Sequence, residues 1–184
     1  FKAVYGINVL KKSKIGLIGY PMQGMGDFNI DETAFLANIG PSVIHIPVDE
    51  LGDQLDKCTI SDIKPIIQYD KENFEFCGAI NEEVHVASAR MEWAVRQLIN
   101  KYGLNAWSQH FLVMDSSKRI PTLPFLAASK LMAEGIPYAA EGDVTAAAAG
   151  IMIKALAGES TLAEMFTMDF DDGALFMSHM GECN

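Results

Sequence analysis

Three side chains in this 184-residue sequence have types that could do chemistry together: Glu141, Glu164 and His179. Glu141 closes the run Pro137-Tyr-Ala-Ala-Glu141-Gly-Asp143, which reads as a strand, a turn and the start of a helix. A carboxylate at the end of a buried parallel strand costs free energy unless it is paired, hydrogen-bonded or bound to a cation. Read by itself, Glu141 therefore stays open to a structural and to a functional role. Asp143 reads as a helix N-cap, accepting hydrogen bonds from free backbone N–H groups. Glu164 and His179 lie too far along the chain to form a local helical chelate, so only the fold can bring the three together. Two carboxylates and an imidazole suit a hard or borderline divalent ion, such as Mn²⁺, Mg²⁺ or Co²⁺, better than a thiolate-seeking one.

Read from the residues alone the triad is a weak signal, since most glutamate-plus-histidine selections in a chain this long are accidental. Other groups carry signals of their own. The stretch Gly19-Tyr-Pro-Met-Gln-Gly-Met-Gly26 could let a ligand approach the backbone. It lacks both the GK[ST] of a P-loop and the spacing of a dinucleotide fingerprint, so a plain turn is the preferred reading. Asp169, Asp171 and Asp172 with Gly173 suggest a calcium loop, but its twelfth position is Met180 instead of a bidentate glutamate. His110, next to Gln109, ends a strand and could line a cleft; a hydrogen-bonded loop histidine is the preferred reading. His45 reads as a core or edge histidine. The ten methionines read mostly as core filler. Cys58, Cys77 and Cys183 form no CxxC pair and no disulfide framework, which makes a reducing cytoplasm the default location.

The elements that must position these groups alternate. Residues 14–20 read as a strand running into the glycine-rich loop, and Asp31 as the cap of a helix bearing Phe35, Leu36 and Ile39. Residues 43–48 read as a second strand ended by Pro47, and 49–57 as a helix. Ser61 or Asp62 opens another helix with Pro65 in its first turn. The clearest helix runs over 81–102, with Val84, Ala87, Met91, Val95, Leu98 and Tyr102 at helical spacing and Gly103 after its end. Strands at 104–108 and 136–140 alternate with helices at 124–133 and 144–156. The expected fold is α/β: a doubly wound parallel sheet with helices on both faces, covering residues 1–157. Residues 158–184 switch to hairpin character, with strands at 166–170 and 174–178 around Asp171-Asp172-Gly173, and read as the start of a β-rich domain. Phe at position 1 and the abrupt end at Asn184 suggest a fragment of a longer chain.

Composition sets the outer limits. A hydrophobic fraction of 49% with 21% charged residues reads as globular. A formal charge of −10 argues against nucleic acid and against an anionic membrane surface. No apolar run is long enough for a transmembrane helix.

From Gly103 onward the chain resembles the L-arabinose isomerase family of the arabinose/fucose isomerase group. The resemblance rests on Gly103-Leu-Asn-Ala-Trp107, Ile120-Pro-Thr-Leu-Pro124, Leu131-Met-Ala-Glu-Gly135 and, above all, Ala140-Glu-Gly-Asp143. Ala163-Glu-Met-Phe-Thr-Met-Asp-Phe170 and Met177-Ser-His-Met-Gly-Glu182 follow in the family's order. The resemblance implies that Glu141, Glu164 and His179 bind a metal, Mn²⁺ foremost, and that Glu141 and Glu164 act as acid and base. It implies Met22 and Met114 near the sugar, and a fourth ligand, a histidine, from a later domain. Glu164 favours the arabinose branch, since the fucose branch carries Asp there. The implied reaction interconverts an aldose and a ketose by proton transfer between C1 and C2 through a metal-stabilised enediolate, with hydride shift as the other route. A small-molecule sugar is the implied substrate and a homo-oligomer the implied assembly. A non-catalytic sugar-binding module and an inert fragment are the competing readings.

Overall fold

The computed structural model describes residues 1–78 and 80–179. Met180, Glu182 and Cys183, which entered the sequence reading, lie outside the described residues. Strands β1 (Lys14–Ile18), β2 (Ser42–Ile46), β3 (Ala106–Gln109) and β4 (Tyr138–Ala139) form one parallel sheet in the order β2-β1-β3-β4. The chain leaves β1 for the edge strand β2, then crosses back past β1 to β3. The carboxyl ends of β1 and β3 thus flank the point where the direction of winding reverses, which is where open α/β sheets collect ligands.

Alternation along the strands splits the core in two. Ile15, Leu17, Ala106 and Ala139 face helices α1 (Lys2–Lys11), α2 (Glu32–Asn38) and α8 (Val144–Ala157). Ile18, Ile46, Trp107 and Tyr138 face α3 (Val48–Lys57), α5 (Glu82–Tyr102) and α7 (Phe125–Ala133). The expected fold class is therefore observed, with several boundaries moved. Nothing in the sequence pattern marked α1, because Val4, Tyr5 and Ile7 stay exposed while Gly6 and Leu10 are buried. Gly6 lets α1 lie close on α8: a Cβ there would come within 2.8 Å of the Met152 sulfur.

Helix α4 (Ile60–Asn73) starts earlier than expected. Its N-cap is Thr59, which forms a capping box with Asp62, so Asp62 lies inside the first turn. α5 keeps its expected bounds, capped by Asn81 and closed by Gly103 in the left-handed region. Its buried face is not the expected stripe throughout, since Val84 is exposed and His85 is buried.

That histidine belongs to an ionic network buried between α4, α5 and α7. Asp70 lies 2.9 Å from His85 Nε2 and accepts from Lys130 Nζ at 2.5 Å. Lys130 also pairs with Glu92 at 2.6 Å, and Arg96 joins Glu92 to Glu134. The side chains of Asp70, Glu92 and Lys130 are each 5% exposed or less. Buried charges survive only with partners of this kind.

The last two strands, β5 (Glu164–Asp169) and β6 (Ala174–Ser178), form an antiparallel hairpin. β5 begins at Glu164, ahead of the expected start at Phe166. The register slips between Met165 and Thr167, leaving Phe166 as the extra residue of a β-bulge. Met165, Phe166, Met168, Leu175, Phe176 and Met177 are all more than half exposed.

Candidate active site

The ends of three parallel strands are tied to one another by their own backbones. Gly142 N–H donates to the Gln109 carbonyl at 3.0 Å, joining the turn after β4 to the end of β3. Met22 N–H donates to the Glu141 carbonyl at 2.8 Å, joining the glycine-rich loop after β1 to the same turn. Between them stands Glu141 at φ 63°, the one non-glycine residue in the left-handed region among the described residues. Such a backbone costs on the order of 1–3 kcal/mol and persists only where its surroundings fix it. Asp143 behaves as expected of an N-cap, accepting from Thr145 N–H at 2.8 Å and Ala146 N–H at 2.9 Å.

Gly142 shows how tight this junction is. It sits at φ +82°, and a Cβ would fall 2.6 Å from Pro21 Cα and 2.8 Å from the Tyr20 carbonyl oxygen. Gly142→Ala should therefore force the Tyr20–Pro21 loop away. The left-handed backbone alone should cost about 1–2 kcal/mol. Urea unfolding measures the loss, and an unchanged midpoint would show that the loop is not held there.

The hairpin supplies the other two groups. Antiparallel pairing sets Glu164 opposite Ser178, so the next residue, His179, arrives beside Glu164. Its Nε2 lies 4.0 Å from Glu164 Oε2. Glu141, Glu164 and His179 line one cavity of about 290 Å³, whose remaining wall is Gln109, Phe111, Leu123, Phe125, Phe166 and Ala140. The fold thus brings the three expected side chains to one cavity, although among the described residues no three acidic, histidine or cysteine side chains are drawn together into a closed metal site. Burial raises the Glu141 pKa above the usual glutamate range. The negative charges of Glu164 and Asp143 push the same way, while His179 opposes them.

Two residues expected near the sugar, Met22 and Met114, are not part of this cavity's lining. Met114 is fully buried in the core on α6 (Phe111–Ser116), a helix the sequence reading did not find, and Phe111 holds the cavity wall instead. Met22 sits in the loop whose backbone braces Glu141, outside the cavity lining. His110 is a buried residue of the loop that caps α6, hydrogen-bonded through its backbone to Ile18; its ring is edge-on to Tyr20 at 4.8 Å between centroids, and its Nδ1 has no hydrogen-bond partner among the described residues. Burial lowers its pKa. His45 is an edge-strand residue, 2.7 Å from Glu32. The aromatic wall was missed because Phe111, Phe125 and Phe166 look like ordinary core residues in the sequence. Gln109 left a usable signal, a lone amide at the end of an apolar strand.

Two carboxylates and an imidazole thus meet on one cavity beside the carboxyl ends of a doubly wound parallel sheet. The comparison with known families is more specific: the model of the L-arabinose isomerase central domain matches residues 18–159, and the chain belongs to that family. L-arabinose isomerase 1 of Bacillus licheniformis is 27% identical over 174 residues, covering 92% of this chain and 35% of its own length. The L-arabinose isomerases of Arthrobacter sp. (26% over 181 residues, 94% and 35%) and Shouchella clausii (25% over 185 residues, 98% and 37%) are similarly related. The chain therefore spans little more than a third of the length of these relatives. No helix among the described residues is long and apolar enough to cross a membrane.

Proposed function

We propose that this chain forms the central part of a metal-dependent aldose–ketose isomerase acting on a small sugar of the L-arabinose type. The observation that carries the proposal is the meeting of Glu141, Glu164 and His179 on one cavity at the carboxyl end of the sheet. The relatives' names point to the same chemistry.

The donor set fits a divalent cation. Two carboxylates face one cavity, the charge of one already raises the proton affinity of the other, and an imidazole stands beside them. Glu141, Glu164 and His179 would hold the ion, with Mn²⁺ the leading choice and Mg²⁺ or Co²⁺ close to it. When bound, it supplies Lewis acidity toward the sugar's oxygen atoms. The protein's own groups handle the protons. One glutamate takes the proton from C2 while the other returns a proton to C1, and the hydroxyl proton passes from O2 to O1. The result is a 2-ketose with no outside oxidant or reductant. Glu141, on the turn braced by the Met22 and Gly142 backbone bonds, and Glu164 are the two groups available for these transfers. Phe111, Leu123, Phe125 and Phe166 keep the cavity apolar and limit competing water. A homo-oligomer and a cytoplasmic location go with this reading.

The test is ketose formation from L-arabinose by the full-length protein with and without added Mn²⁺. Metal-dependent ketose supports the proposal. Sugar binding with neither turnover nor metal uptake would make the domain a non-catalytic sugar-binding module. Deuterium from solvent at C1 of the product separates the enediolate route from direct hydride shift.

The raised Glu141 pKa also affects stability. The folded state holds this proton more tightly than the unfolded chain does, so folding is favoured less as pH rises from the ordinary glutamate value through the raised one. Below the ordinary value the group contributes no pH dependence. In chelator-treated protein, Glu141→Gln should flatten the melting temperature over that interval and leave the low-pH limb as it was. An unchanged profile would show that Glu141 is not the group responsible.

A further inference from the structure

The cavity contains a polar group that the proton chemistry above does not use. Gln109 is fully buried at the end of β3 and forms part of the cavity wall. Its Nε2 donates to the Tyr138 hydroxyl at 2.9 Å, which fixes the amide, while its Oε1 has no hydrogen-bond partner among the described residues. Its backbone is fixed as well, since the Gln109 carbonyl accepts from Gly142 N–H in the turn that carries Glu141.

A buried amide oxygen without a partner is costly, and native proteins keep one where something else completes it. The rest of the wall leaves it unpaired. Phe111, Leu123, Phe125, Phe166 and Ala140 have no side-chain donor, and neither His179 nor the carboxyl groups of Glu141 and Glu164 bond to it in the structure. The missing partner is a small donor that fits a cavity of about 290 Å³. A sugar hydroxyl meets that need. It can also accept, so it would serve equally if the amide were turned and its NH₂ faced the cavity.

We propose that Gln109 is a substrate-binding residue whose amide pairs with one hydroxyl of the sugar and so selects for that hydroxyl. The assignment rests on the sugar-isomerase reading and adds a specificity element to it. A site built to pair a hydroxyl rejects an analogue lacking it more strongly than an apolar pocket rejects a change in size, because the analogue leaves the amide unpaired. Gln109 therefore acts in ground state and transition state alike, raising affinity more than turnover.

The experiment uses the full-length protein and L-arabinitol, a polyol that cannot isomerise, with calorimetric affinity as the readout. A panel of L-arabinoses lacking the hydroxyl at C3, C4 or C5 is tested beside it. Gln109→Met keeps the side-chain length and removes the amide. It should weaken L-arabinitol binding by roughly tenfold to a hundredfold. KM should rise more than kcat falls, and the wild-type discrimination against one deoxy sugar should disappear. A folded Gln109→Met with wild-type affinity and unchanged discrimination overturns the inference while leaving the isomerase reading intact. Wild-type protein that binds L-arabinitol through Gln109 but makes no ketose overturns the isomerase reading and supports the residue assignment. Wild-type protein that binds no pentitol overturns both. If Gln109→Met does not fold, Tyr138→Phe decides, because it removes the amide's anchor with little change in volume. Severalfold weaker pentitol binding supports the assignment and wild-type affinity overturns it.

Discussion

Glu141→Gln in the full-length protein lowers ketose formation by roughly 10²–10⁴-fold, the usual contribution of a positioned acid–base group. The substitution nearly preserves shape, so the Met22 and Gly142 backbone bonds that frame the turn should stay in place. It removes a cavity carboxyl whose proton affinity is raised by burial and by neighbouring carboxylates. The backbone strain at φ 63° supports the same assignment. Asn and Asp enter the left-handed region more readily than Glu, so a purely structural turn has no reason to place glutamate there. The assay measures initial rates of ketose formation at saturating sugar, with Mn²⁺ uptake recorded on the same sample. A rate near wild type with the ion bound would remove Glu141 from the chemistry.

Lys130→Met has the largest expected effect on stability, a loss of about 3–5 kcal/mol. Lys130 bridges two carboxylates, Asp70 and Glu92, each almost fully buried. Without the ammonium they are left facing each other, with only His85 and Arg96 to offset the charge. Methionine fills the space left by the alkyl stem, so the cost is electrostatic and not a cavity. The midpoint of urea unfolding reports it, and a shift under about 1 kcal/mol, the scale of an exposed pair, would mean the network is hydrated. A triple replacement of Asp70, Glu92 and Lys130 by apolar residues of similar volume should recover most of the loss, because a fully apolar core often matches a buried ion network.

That network also shows where reading the sequence stopped. Asp70, Glu92 and Lys130 lie on amphipathic helices, where isolated charges look like a solvated face. Only the packing of α4, α5 and α7 buries them together. Met114 was named through the resemblance alone, and the structure places it in the core, outside the cavity lining. By contrast, the parallel strands and α5 were legible because apolar runs, helical spacing and the Gly103 stop all agree. Asp143 was legible as a cap from local chemistry alone. The meeting of Glu164 with His179 was not readable from spacing. It depends on hairpin register, and the resemblance to a known family supplied that expectation. Gln109 was visible as a polar residue ending a strand, but its unpaired oxygen emerged only with the cavity around it.

The metal site is tested most directly by a Mn²⁺ titration of the full-length protein, followed by the loss of the free-ion electron paramagnetic signal, for wild type and for Glu141→Ala, Glu164→Ala and His179→Ala. One tightly held ion per chain in wild type, weakened by each of the three substitutions, is the predicted result. Uptake that is unaffected by all three would contradict it.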